Sequence, residues 1–463
     1  MVDIMYKKLK EYIKSIDEVS HITFDPYGPG VARIFLIPPK KIKFNIPWVI
    51  LINGESILPI CMGWALLLRE FINEINGNVN NSLTDEDIET ASNNAIKKIS
   101  LLFPKTPKEM LKGDLKDLLE VLIKIARNEM EEKEEIGYVP LKKYAKYLSS
   151  PQRIDLMVSS MEKNGVWNCN QRCLNCYAKD QIKSNDIELS TDEWKKIIDE
   201  LKKARVPQIT FTGGEPTLRS DLVELINYSS WFVTRLNTNG RLLTKQLCDD
   251  LVKASLDAIQ ITLYSSDKNI HNILVGANGF DDTINGIKNA LNSGLLVSVN
   301  TPLCKLNQNY IDTIKYIHKN YGVRYYTCSG LILTGGATKT TNDRLNEEEL
   351  KEILIEAYKY CYENDLELKF TSPGWINDGF FKNLKVNIPM CGAIISNMAI
   401  SPSGDLIPCQ SWLDGKNFGN LLKESFKDIW KKAELNKFKK EILKLGNECP
   451  LNNKELKNEE DNI

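Results

Sequence analysis

From Ser190 onward, apolar and polar residues alternate between two periods. Trp194, Ile197, Ile198 and Leu201 recur at helical spacing behind a Ser190–Glu193 capping box, which predicts an amphipathic helix. A strand run follows at Gln208 to Thr212, then a capped helix from Ser220. The same alternation continues with strand Trp231 to Thr238, helix Thr244 to Ser255, strand Ala258 to Ser265 and helix Phe280 to Ser293. Strand Leu296 to Thr301, helix Tyr310 to Lys319, strand Val323 to Leu333 and a helix capped by Asn346 with Glu349 complete the series. With Gly165 to Cys169 taken as a first strand, six strands are each followed by a helix. Repeated βα units with right-handed crossovers give an α/β protein with a parallel sheet, open or curled into a barrel, whose ligands collect at the C-terminal strand ends.

The flanks read differently. Met1 to Ser20 is charged throughout and predicts an amphipathic helix, not a signal peptide. Strand-like runs at Ala32 to Pro38 and Trp48 to Asn53 precede helices at Ile57 to Ile75, Thr84 to Leu102 and Leu111 to Met130, and the charged stretch Glu129 to Glu135 reads as a linker. The expected organisation is an N-terminal α+β module over 1–145, the βα block over 150–375, and a small C-terminal module over 385–455.

Lys plus Arg (60) nearly balances Asp plus Glu (61), so the basic excess of a nucleic-acid binder is missing. No apolar run approaches the roughly 20 residues of a membrane helix, and the expected location is cytoplasmic. Eleven cysteines without a secretory signal argue against a disulfide scaffold. Cys61, Cys248, Cys304, Cys328 and Cys361 are scattered through apolar or helical contexts and are expected to be buried small hydrophobes.

The remaining six are grouped. Cys169, Cys173 and Cys176 have CxxxCxxC spacing, which on one tight loop aims three thiolates at one face of a cubane and leaves the fourth iron an open position. A closed zinc site takes four ligands, usually from separated CxxC pairs, and the bacterial ferredoxin run has another spacing. At the end of the second strand, Gly213-Gly214-Glu215-Pro216 combines close backbone approach with a carboxylate suited to an ammonium group. Cys391 and Cys409 flank two apolar arms joined by the turn Pro402-Ser403-Gly404-Asp405, and Cys449 follows.

CxxxCxxC followed by Gly-Gly-Glu-Pro at the next strand end resembles the radical S-adenosylmethionine (SAM) superfamily. The resemblance implies a partial (β/α)6 barrel and a [4Fe–4S] cluster held by Cys169, Cys173 and Cys176. SAM would chelate the open iron, and an electron from the cluster would cleave it to a 5′-deoxyadenosyl radical. It further implies that Gly213, Gly214, Glu215 and Pro216 receive the methionine amino group. Thr238, Asn239, Ser265 and Asn300 would lie along the ribose, and Leu331 and Ile332 at the adenine. Asn175 stands where many members carry an aromatic residue or His. The C-terminal segment, with Phe418-Gly419-Asn420-Leu421 before Ile429-Trp430, is similar to the SPASM and twitch auxiliary-cluster extensions. That likeness implies a second [4Fe–4S] cluster on Cys391, Cys409 and Cys449. Asn452 replaces the usual fourth ligand, so either an outside Cys completes the site or one iron is open to substrate.

The function these resemblances imply is radical modification of a substrate, first a ribosomally made peptide, with an electron donor such as flavodoxin or ferredoxin. The order of elements in 1–145 is similar to peptide-recognition domains found with such enzymes. A small-molecule dehydrogenase or cyclase is the second reading. An iron–sulfur redox sensor without SAM chemistry is the alternative of another class.

Overall fold

The computed structural model describes residues 2–16, 18–24, 32–54, 56–77, 84–126 and 145–452. The linker expected at Glu129 to Glu135 lies outside them. The chain forms two compact units, 1–150 and 151–463.

In the first unit, helix α1 (Val2–Lys14) precedes strands β1 (Ser20–Phe24), β2 (Ala32–Ile37), β3 (Trp48–Ile52) and β4 (Ser56–Ile60). They pair in that order as an antiparallel meander. Ile34, Leu36, Ile50 and Leu58 pack one face onto helices α2 (Met62–Gly77), α3 (Asp85–Leu102) and α4 (Lys108–Ala126). A capping box of Thr84 and Asp87 starts α3. The helix expected from Ile57 begins instead at Met62, because Ser56–Ile60 is the edge strand β4. Pro59 was the available signal: it lacks an N–H and suits a sheet edge. Cys61, between β4 and α2, is exposed, contrary to the expectation of burial.

The second unit is built on a nine-stranded sheet. Strands β5 (Arg153–Ser159), β8 (Gln208–Gly213), β9 (Val233–Thr238), β10 (Ala258–Thr262), β11 (Leu296–Leu303), β12 (Tyr325–Gly330) and β13 (Glu367–Phe370) run parallel. The first strand is therefore β5, not Gly165 to Cys169. That segment holds β7 (Val166–Trp167), which pairs with β6 (Glu162–Lys163) in a short hairpin leading into the cysteine loop. Arg153 and Asp155 disguised β5, whose residues from Ile154 to Ser159 are all buried. The helix from Thr191 has the expected capping box and buries the four expected residues. Those capped by Thr244 and Asn346 also form, whereas the short helix Lys268–Val275, capped by Asp267, was unforeseen.

The two sheet edges are additions. Strand β13 extends the barrel beyond the sixth strand, and the C-terminal hairpin of β14 (Asn397–Ile400) and β15 (Leu406–Ile407) adds to the other edge, with β14 parallel to β5. Register aligns Gln260, Ser298, Tyr325 and Glu367 in one row, and Thr262, Asn300, Thr327 and Lys369 in the next. All eight are half-buried, while Ile261, Val299, Tyr326 and Leu368 between them are buried. One face of the sheet is thus apolar and the other polar. Among the described residues, no helix is long and apolar enough to cross a membrane.

Candidate active site

The cysteine loop is held from several sides. Before it, the half-buried carboxylate of Glu188 accepts from Ser160 N (3.0 Å) and Asn168 Nδ2 (3.0 Å). Within it, Trp167 Nε1 donates to Gln171 O at 2.8 Å while Arg172 stacks on the Trp167 ring. The amides of Arg172 and Leu174 donate to Val275 O and Leu274 O, both at 2.9 Å, so the unforeseen helix Lys268–Val275 supports the loop. From the turn after β9, Asn239 Nδ2 donates to Asn170 Oδ1 at 2.6 Å, and Arg241 reaches Asn170 O. After β12, Gly336 N donates to Cys176 O at 2.8 Å, and Gly335 turns with φ +54°. A side chain at Gly335 would place Cβ 2.2 Å from Tyr177 O.

Asn170, Arg241 and Gly335-Gly336 are site residues that the sequence reading missed. A second Gly-Gly at a strand end carried the same signal as Gly213-Gly214.

The three half-buried cysteines stand near the buried Glu215. Burial pushes Cys169 up to about 12, and raises Cys173 and Cys176 as well. Glu215 and the neighbouring sulfurs add to the rise at Cys169 and Cys173. Three thiolates can coexist here only beside compensating positive charge, as the irons of a cluster supply. No three His, Cys, Asp or Glu among the described residues converge as a single-ion site requires. In a cubane each thiolate binds a different iron, so three cysteines that hold a cluster need not meet at one point.

Glu215 is 1% exposed. Its Oε1 accepts from Thr217 N (3.1 Å), Thr217 Oγ1 (2.6 Å) and Thr238 Oγ1 (2.6 Å), and its Oε2 from Asn239 N (2.8 Å). All four donors are neutral, and burial outweighs them, leaving the carboxyl above its usual range. A buried carboxylate so placed is stabilised by an arriving cation. Beside it, Gly213 adopts φ +138°, with Cβ space only 2.3 Å from Ser159 O. Pro216 opens a short 3-10 turn that aims Glu215 inward. The polar side-chain atoms Ser159 Oγ, Gln171 Nε2 and Asn175 Nδ2 are buried with no protein partner, as expected around a polar ligand.

The structure thus gathers Cys169, Cys173, Cys176, Gly213, Gly214, Glu215, Thr238 and Asn239. Leu331 packs with Tyr264 and Cys304 in an apolar cluster that touches Cys173. Ser265 caps its own turn by accepting from Asp267 N (3.0 Å), Asn300 belongs to the polar row, and Ile332 is half-buried beyond β12.

Cys391, Cys409 and Cys449 also converge. The Cys391 and Cys449 thiols are hydrogen-bonded, which together with burial raises Cys391, and burial with the nearby Cys449 takes Cys409 to about 12. The hairpin turns at Gly404, Cys449 N is anchored on Pro373 O (3.2 Å), and Phe418-Gly419-Asn420 lies along β15 through Leu406 N to Gly419 O (2.8 Å).

Residues 168–319 match the Radical SAM superfamily, and residues 391–451 match SPASM, an iron–sulfur cluster-binding domain. The chain is 28% identical to Fe-coproporphyrin III synthase of Methanosarcina barkeri, over 57% of this chain and 72% of that protein. It is 26% identical to mycofactocin maturase MftC of Mycolicibacterium smegmatis, over 58% and 68%. Its fold is similar to Streptococcus suis SuiB bound to S-adenosylmethionine, with TM-score 0.63 and 17% identity over 90% of this chain and 95% of that one. The chain carries a radical SAM domain and, at its C-terminal end, a SPASM domain, and it is an enzyme that uses a [4Fe–4S] cluster and SAM.

Proposed function

We propose that this enzyme modifies a ribosomally made peptide, and that the residues gathered above divide the work as follows. Cys169, Cys173 and Cys176 hold the radical cluster. Glu215, with Gly213, Gly214 and Pro216, receives the SAM ammonium, and Thr238 and Asn239, which donate to the Glu215 carboxylate, stand at the ribose. Ser265 and Asn300 lie along the ribose, and Leu331 and Ile332 along the adenine. When bound, the cluster and SAM supply one-electron cleavage to a 5′-deoxyadenosyl radical. The protein's contribution is to orient both and to keep water from the reacting carbon.

The observation that carries the peptide reading is the polar sheet face. A flat tetrapyrrole favours apolar walls, whereas rows such as Gln260-Ser298-Tyr325-Glu367 present the donors and acceptors that suit a peptide backbone. Mycofactocin maturase and PqqA peptide cyclase are among the sequence relatives, and SuiB has a structure with its precursor peptide SuiA. Fe-coproporphyrin III synthase and AdoMet-dependent heme synthase are relatives too, so a tetrapyrrole is the second reading. The electron donor is a flavodoxin or ferredoxin, and the setting is the cytoplasm, where thiols stay reduced.

The N-terminal unit is assigned to the peptide leader. Its meander has edges at β1 and β4, and strand addition at such an edge captures an extended peptide through backbone hydrogen bonds. A chain lacking residues 1–145 should still form 5′-deoxyadenosine yet lose turnover of its peptide. Wild-type peptide turnover by the shortened chain would refute the assignment.

Cys391, Cys409 and Cys449 are assigned to an auxiliary cluster. Anaerobically reconstituted enzyme should hold roughly eight irons, and about four after all three are changed to Ala. Iron content unchanged by that substitution would return them to structural thiols.

A further inference from the structure

The segment after the third cysteine is fastened to the segment after Cys409 by a two-sided clamp. Gln181, 8% exposed, donates through Nε2 to Tyr177 O and to Ser411 O (3.2 Å). Its Oε1 accepts from Leu413 N (2.9 Å) and Asp414 N (3.2 Å). In return, Asp414 accepts from Ile182 N (2.7 Å) and Lys183 N (2.9 Å) at the start of the 3-10 turn Ile182–Asn185. Gln181 lies five residues beyond Cys176, and Asp414 five beyond Cys409. Between the two cysteine groups, Met157, Ala178, Ala399, Ile407 and Leu413 form an apolar cluster against which Cys176 and Tyr177 pack.

We infer that Gln181 and Asp414 are positioning residues that set the separation of the two iron–sulfur centres. Two loops of irregular backbone have no ladder to fix their distance, and apolar packing is non-directional. The amide of Gln181 supplies two donors and an acceptor in one plane, and here it spends them on backbone atoms of both loops. Asp414 repeats the link from the other side. The loops then move as one body, and the centres at their roots keep one spacing. The bonds of Gln181 are buried or partly buried whereas those accepted by Asp414 lie at the protein surface, so Gln181 is the stronger element.

This inference rests on the assignment of Cys409 to an auxiliary cluster. The test is electron paramagnetic resonance of the fully reconstituted, dithionite-reduced enzyme, reading how strongly one reduced centre enhances relaxation of the other. In the wild type two interacting centres are expected. Gln181→Ala should weaken or broaden that interaction while both centres remain loaded. Gln181→Glu, which keeps the acceptor for Leu413 and Asp414 but loses the donors, should fall between. A merely structural role would lower thermal stability and leave the interaction unaltered, and that result overturns the inference. If Gln181→Ala fails to fold, Asp414→Asn is compared in the same way, with weakening supporting the clamp and an unchanged signal overturning it. A wild type with one centre refutes the auxiliary assignment itself, and the clamp with it.

Discussion

Changing Cys169, Cys173 and Cys176 together to Ala is expected to abolish 5′-deoxyadenosine formation and to remove about four irons, because thiolates are what anchor such a cluster. The three half-buried cysteines stand beside buried Glu215, and burial together with the neighbouring sulfurs and carboxyl raises Cys169 and Cys173, while burial raises Cys176. Only the charge of bound iron makes the thiolate state favourable, so the site and its metal stabilise one another. The loop around them is held by Leu274, Val275, Asn239, Arg241 and Gly336, none of which is altered in this variant. The fold should therefore survive, with circular dichroism unchanged and the second cluster retained. Liquid chromatography of the anaerobic reaction with dithionite and SAM reads the result. SAM cleavage at the wild-type rate by the triple variant would remove the radical cluster from these residues.

The second large effect is expected at Glu215. Glu215→Gln preserves size and one acceptor oxygen but removes the charge. A charge-assisted hydrogen bond to an ammonium contributes roughly 1.5–3 kcal/mol, so SAM affinity should fall about tenfold or more. The substitution also turns an amide N–H toward a backbone N–H, of Asn239 or of Thr217, where a carboxylate oxygen now accepts at 2.8 and 3.1 Å. Donor facing donor loosens the β9 end against the Gly-Gly turn, which adds to the loss. Iron content should not change, since the carboxylate belongs to neither group of cysteines. Isothermal titration of the iron-loaded variant with SAM tests this, and an equal dissociation constant in variant and wild type would take Glu215 out of the ammonium site.

Both groups of residues could be picked out in the chain because their spacing is local. Cys169, Cys173 and Cys176 lie on one loop, Gly213 to Pro216 on one turn, and a spacing of a few residues specifies such geometry without help from the rest of the fold. The same holds for capped helices. Ser190 with Glu193, and Asn346 with Glu349, satisfy backbone donors in their own first turn, so their positions are written within four residues.

What crosses the sheet was decided elsewhere. Strand β5 contains Arg153 and Asp155, which look wrong for a buried strand until Thr210 and Arg235 of the neighbouring strands are seen beside Asp155. Pairing of β14 with β5 joins the C-terminal hairpin to the barrel, and no periodicity in either strand names its partner. Cys449 meets Cys391 across nearly sixty residues of chain, with its amide anchored on Pro373 O. Glu215 is recognisable as a carboxylate on a turn, but its four donors come partly from Thr238 and Asn239 on the next strand. Local spacing is encoded by backbone sterics and short-range hydrogen bonds, which each residue carries with it. Register, edge pairing and the meeting of distant loops depend on burying many apolar side chains at once, a property of the whole chain that no segment holds alone.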